Sequence, residues 1–340
     1  MWRHHLSQLG RLLVTRAELR GKERLPYLVW SIVLIDTYAT LTAGGSGELS
    51  DALAHCGLIP TPRHITRSIG HSQTLESVNL FQEVLGLEQN VAKFAGKLGQ
   101  LSNKMRNQAA AGENPVYGDG ENECCQIVYE LKGAWQARQP RVENLIAAAE
   151  GSGSPGSAAS ASVFPRIQET YQHVIPPGCR LWAFFFFFFF SLSCLLISNL
   201  NVNKACALYN AAIIFAYTSV FPLQRNSLSV DKVEEVQTSI AKILGQASSL
   251  RETSPSQALD QRHRYMLFPL FLAGVEAPSP ADKMWVQDRL KEFQEFSVGR
   301  NTKFLSSVFR EIYHHQQQGR DVDWIEFMND KEWRVVIYDI

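Results

Sequence analysis

The sequence predicts an all-α, multi-helix fold. Three observations predict it: apolar residues spaced by four and three without a break from Leu80 to Met105, further helical stripes in both halves, and period-two alternation confined to Arg334 to Tyr338.

The first segment, to about Leu58, reads as two helices. Leu9, Leu12, Leu13 and Ala17 keep helical spacing, and Leu25 to Leu41 is apolar nearly all round, which predicts a buried helix. Asp36 lies inside that run, where a carboxylate needs donors, so a structural hydrogen-bond acceptor is expected. Ala43-Gly44-Gly45-Ser46-Gly47 ends the helix with residues that tolerate positive φ. Leu80, Val84, Leu87, Val91, Phe94, Leu98, Leu101 and Met105 form an a/d seam. Gly86, Gly96 and Gly99 interrupt it, each at a cost of about 1 kcal/mol relative to alanine, and the flanking positions show no consistent charge pairing. A helix of an intramolecular bundle is favoured over a dimerising coiled coil.

A loop is expected from Ala111 to Asn122, followed by a stripe of Cys125, Val128, Leu131 and Trp135 and a separate helix through Val142, Leu145 and Ile146. Gly151 to Ser162 is low in complexity and reads as a flexible connection. Val233, Val236, Ile240, Ile243, Leu244 and Ala247 share one face later in the chain, and Val286, Leu290, Phe293 and Phe296 another. Phe304, Leu305, Val308, Phe309, Ile312 and Tyr313 form a third. Pro269 inside the apolar run Tyr265 to Ala273 predicts a kink, with Glu276 placed to meet freed backbone groups. Asp323 reads as the N-cap of a final helix whose Trp324 and Met328 pack into the core.

Length allows one to three domains of about 100 to 200 residues, or a single large helical one. Lys plus Arg and Asp plus Glu both total 33, so no global field draws in a polyanion, and nonspecific DNA binding is not expected. The N-terminus lacks the apolar stretch of a secretory signal, so a reducing compartment and free thiols are expected. Cys56, Cys124, Cys125, Cys179, Cys194 and Cys206 contain no CxxC pair, and no zinc site is expected. His4-His5 and His314-His315 point in different directions on a helix and read as exposed or capping residues. No GxSxG elbow, phosphate loop, HExxH or Rossmann fingerprint occurs. No catalytic, cofactor-binding or metal residue is assigned, and the chain is read as acting by binding.

Leu181 to Ile197 carries no charge and contains seven consecutive phenylalanines, Phe184 to Phe190. Three readings stand. Its length lies near the short limit of about 17 to 25 residues for a membrane span, with Arg180 and Lys204 as flanking anchors. A buried apolar segment is the second, although a homopolymer of stiff rings has no register for close packing. The third is a translated intron. Phenylalanine codons are pyrimidine-rich, Ser198-Asn199 can be encoded by a branch-point-like sequence, and the codon of Lys204 can end in the acceptor dinucleotide. Ordinary helical sequence resumes from Ala205 to Phe221.

Three places resemble the fungal-specific transcription factor domain, the helical regulatory region of fungal binuclear zinc cluster regulators. One is Tyr27-Leu-Val-Trp30 with Ile35-Asp36-Thr37-Tyr38-Ala39; the second, and most specific, is Leu267-Phe-Pro269-Leu-Phe-Leu-Ala-Gly274-Val-Glu276. The last is Asp323-Trp324 through Met328 with Trp333-Arg334. The resemblance implies structural or regulatory positions at Trp30, Asp36, Pro269, Gly274, Glu276, Trp324 and Trp333. It implies two halves of one helical regulatory domain, 1–150 and 205–340, with a linker at 151–163, a continuation at 164–180 and the anomalous segment at 181–204. It further implies a nuclear transcription regulator without its own zinc cluster, controlling a metabolic gene set, that touches DNA only indirectly. Partners expected from the resemblance are regulator or transcription-machinery proteins, a homo- or heterodimer and a small-molecule effector; no cofactor is expected. The alternatives are a membrane-associated protein anchored by the Phe-rich segment and a truncated, inactive gene product.

Overall fold

A computed structural model describes residue 8 and residues 26–42, 45–68, 75–112, 117–151, 194–221, 228–253, 265–296 and 300–331. Among them are eleven helices and no strand: α1 (Pro26–Thr42), α2 (Glu48–His55), α3 (Pro62–Ser68), α4 (Leu75–Ala110), α5 (Tyr117–Gly151), α6 (Cys194–Thr218), α7 (Val230–Thr253), α8 (Leu267–Glu276), α9 (Pro280–Phe296), α10 (Arg300–Gln317) and α11 (Trp324–Asp330). The fold is all-α, as the periodicities predict. The stripe at Leu9 to Ala17, most of the low-complexity stretch, the phenylalanine run, Trp333 and the alternating terminus lie outside the described residues.

α4 is the spine. Its 36 residues extend about 54 Å at 1.5 Å each. All eight seam residues from Leu80 to Met105 are buried, because α1, α3, α5 and α6 pack around it. Close contacts give the directions. Gly96 faces Thr37 and Gly99 faces Thr40, so α1 runs parallel to α4. Lys204 meets Glu88 and Ser219 meets Ser102, so α6 is parallel to α4 as well. α5 runs the other way, pairing Arg138 with Glu83 and Lys104 with Glu123. α7 is antiparallel to α6, with Gln246 beside Asn203 near one end and Glu235 beside Tyr217 near the other. α8 then packs on α6, α7, α9 and α10, and Lys283 with Gln316 closes the antiparallel α9–α10 hairpin.

α1 shows how an all-apolar helix accommodates polar residues. The hydroxyls of Thr37, Thr40 and Thr42 donate to the carbonyls four residues back, at 2.9, 2.7 and 2.7 Å, so each is buried without an orphaned group. Gly47, at φ 72°, takes the left-handed conformation that starts α2.

Several stripes are rotated or extended relative to the sequence expectation. Cys124, not Cys125, faces the core, its thiol 3.5 Å from the Ala216 carbonyl of α6. Val233 is exposed in the first turns of α7, ahead of the buried stripe that begins at Val236. Phe304 is exposed because it flanks the stripe of Leu305, Val308, Phe309 and Ile312. α5 begins by Tyr117, so half of the expected loop is helix, and it continues through Pro140, which is exposed and leaves the freed carbonyl one turn back to water. The expected kink at Pro269 is replaced by a helix start: α8 begins at Leu267, so proline falls in the first turn, where no backbone donor is needed.

Of the seam glycines, Gly86 and Gly99 are close-approach points, whereas Gly96 is not. A Cβ on Gly99 would lie 2.9 Å from the Thr40 carbonyl carbon, whereas one on Gly96 would find its nearest atom, Thr37 Oγ1, at 3.8 Å. Gly99→Ala therefore forces α1 off α4 and destabilises by about 1–3 kcal/mol, outweighing its helix-propensity gain. Gly96→Ala fits and stabilises by about 0.5–1 kcal/mol. Urea denaturation of the two variants is expected to show these opposite signs.

Candidate functional site

The three motif regions converge on one aromatic core, although of the motif positions themselves only Trp324 belongs to it. Tyr38, two residues after Asp36, sets its ring edge-on to Phe268 at 5.8 Å. Phe268 lies 6.5 Å from Trp324, and Phe271 lies 5.5 Å from Trp324 and 6.2 Å from Phe309. Phe215 of α6 completes the cluster at 6.3 Å from Trp324. The three sequence regions that carry the resemblance thus meet through their aromatic rings, in the tilted and edge-to-face arrangements that the ring quadrupole favours.

Trp324 is the anchor. It is 1% exposed, and its Nε1 donates to Ser219 Oγ at 3.0 Å. The Ser219 carbonyl, at the C-terminal end of α6, accepts from Ser102 Oγ at 3.1 Å and Arg106 Nη2 at 2.9 Å. Arg106 Nη1 also pairs with Asp323 Oδ2 at 2.8 Å, with side chains 13% and 8% exposed. The other Asp323 oxygen caps α11, accepting from the Ile325 and Glu326 backbone N–H groups. One arginine therefore ties α4, α6 and α11 together, and every member has a partner.

Gly274 marks the second meeting point. A Cβ there would lie 2.5 Å from Val286 Cγ1 of α9 and 2.7 Å from Phe309 of α10, so only glycine lets α8 sit between them. The carbonyls at the end of α8 are capped from outside: Lys283 Nζ donates to Val275 O at 2.9 Å and to Gln316 Oε1 at 2.6 Å, and Gln316 Nε2 donates to Val275 O at 3.1 Å. A cation there also suits the negative end of the helix dipole. Glu276 is the half-buried last residue of α8.

Asp36 Oδ2 accepts from Ser50 N at 2.9 Å and Ser50 Oγ at 2.7 Å, fastening α2 to α1 as an acceptor. Trp30 stands apart, about 12 Å along α1 from Tyr38 at the helical rise. It is 4% exposed, and its Nε1 has no hydrogen-bond partner among the described residues. Sequence reasoning missed Ser102, Arg106, Ser219, Lys283 and Gln316. Ser102 and Arg106 lie one turn apart at the end of the seam, but their partners are more than a hundred residues away.

Burial sets the chemistry of the reactive groups. It pushes the Cys124 thiol up to about 12 and raises Cys206, Tyr209, Tyr217 and Tyr265, which keeps these groups neutral and weakly nucleophilic. Cys56, Cys124, Cys125 and Cys206 are free thiols. Among the described residues no cluster of three His, Cys, Asp or Glu side chains could hold a metal ion. His314 is exposed and His315 partly so, in the last turn of α10.

Two outcomes follow from this geometry. Desolvation raises the Asp36 pKa above its ordinary 3.8, Asp51 and Glu48 add to it, and the Ser50 bonds oppose. The native state then holds this proton more tightly than the unfolded chain, so the contribution of Asp36 to stability falls as pH rises through that window and is flat above it. The stability difference between the natural protein and Asp36→Asn, from urea titrations at stepped pH, is expected to decline across the same interval. At the other site, Asp323→Asn keeps a capping oxygen but strips Arg106 of its charge partner, at a cost of about 3–5 kcal/mol. Asp323→Ala loses the cap as well, for about 1 kcal/mol more in the same thermal or urea assay.

No curated protein and no solved structure matches the chain. Among the described residues no helix is long and apolar enough to cross a membrane. The family comparison, in contrast, takes in all three motif regions and the helical body between them: residues 2–338 match the fungal specific transcription factor domain, and the chain belongs to that family.

Proposed function

We propose that this chain is a nuclear transcription-regulatory domain that works by binding regulator or transcription-machinery proteins rather than by catalysis. The family match over residues 2–338 carries this reading. That family is a transcription-factor regulatory domain and not an enzyme family. The buried, paired polar groups around Arg106 and Asp36 support a scaffold role, since each has a structural use.

In this reading 1–150 and 205–340 form two halves of one helical domain, which the packing of α4 on α6 supports. DNA is reached through a partner or a separate module, in keeping with a formal net charge of zero. A homo- or heterodimer, a small-molecule effector and control of a metabolic gene set belong to the same proposal. The membrane-anchored reading depends on the apolar segment Leu181 to Ile197, and the truncated-product reading on the zinc cluster that the chain lacks.

Tethering tests the proposal. The chain fused to a heterologous DNA-binding module in a fungal host is expected to raise or lower a reporter relative to the module alone, and Asp323→Ala is expected to abolish that change. A reporter indistinguishable from the module alone, with the fusion nuclear and stably expressed, would overturn it.

A further inference from the structure

Glu88 of α4 is 2% exposed, and an ionised carboxylate that deep is costly unless it is paired. Lys204 supplies it, with Nζ 3.0 Å from Glu88 Oε1. One residue earlier, the Asn203 carbonyl accepts from Gln246 Nε2 of α7 at 2.7 Å, and Val202 packs against the core. Residues 202–204 are thus joined to α4 on one side and α7 on the other. They nevertheless fall inside the anomalous stretch, 181–204, for which a translated intron is one of the three readings the sequence allows.

The codons offer a different end for that intron. From Phe184 to Ile197 the sequence is Phe, Ser, Leu, Cys and Ile only. Phe, Ser and Leu have codons made wholly of pyrimidines, and Cys and Ile have codons with a single purine. Ser198 comes next, and one serine codon family begins with the acceptor dinucleotide, AG. A pyrimidine tract running directly into AG is the order that an intron's 3′ end requires.

We propose that the intron ends inside the codon of Ser198, so that the spliced domain resumes at Asn199 and keeps Asn203 and Lys204 as parts of α6. The family match on both sides of the segment requires one reading frame throughout, so the intron's length is a multiple of three. Retention then yields the 340-residue chain with an apolar insertion ahead of the α6 core, and splicing yields a shorter chain without it.

Reverse transcription and sequencing of polyadenylated RNA across codons 150 to 230 tests this. The expected product is shorter by a multiple of three nucleotides, lacks Phe184 to Phe190 and retains the codons of Asn203 and Lys204. An unspliced message alone, or a junction directly before Ala205, overturns it. At the protein level, Lys204→Met in the spliced chain is expected to lower the urea midpoint, and adding Glu88→Gln to recover part of the loss. An unchanged midpoint in Lys204→Met would remove the structural ground for placing the boundary before Asn203.

Discussion

The carbonyl of Ser219 is the point at which α4, α6 and α11 are tied together. It is one of the carbonyls that a helix leaves without an internal partner, and it lies at the buried end of α6. Ser102 and Arg106 satisfy it from α4, which fixes the register of the two longest-packed parallel helices. The same residue's hydroxyl receives Trp324, and the same arginine holds Asp323. Removing any one group would leave another buried and unpaired, so the junction is cooperative rather than additive.

Around that junction the helices are spaced by small residues and filled by rings. Gly99 brings α1 against α4, and Gly274 admits Val286 and Phe309 to the surface of α8. Tyr38, Phe215, Phe268, Phe271, Phe309 and Trp324 fill the volume between. Burying a side chain of this size contributes about 1.5–3 kcal/mol, but only where backbones approach closely enough to leave no void. Glycine and aromatic positions therefore act as one system, which gives the proline-glycine-glutamate region a packing role.

Much of this is legible in the sequence. The seam from Leu80 to Met105 is wholly buried, Asp323 caps α11, Asp36 is an acceptor, and Trp324 and Met328 are core residues. Edges were less legible: Cys125, Val233 and Phe304 fit their stripes by spacing yet face solvent, because periodicity gives a face to within one residue and the packed neighbour decides its border. Pro269 read as a kink because the start of α8 has no side-chain cap to announce it.

The sequence by itself determined the helical class and most of the residues that lie inside, since both follow from local spacing and residue type, and its three motif regions carried the resemblance to the family. Tertiary structure alone decided which helices run parallel, why the glycines are needed, and that Arg106, Ser219, Lys204 and Lys283 are structural residues. The reason is physical. A polar side chain's role is set by its partner, and these partners lie on other helices, where no periodicity connects them.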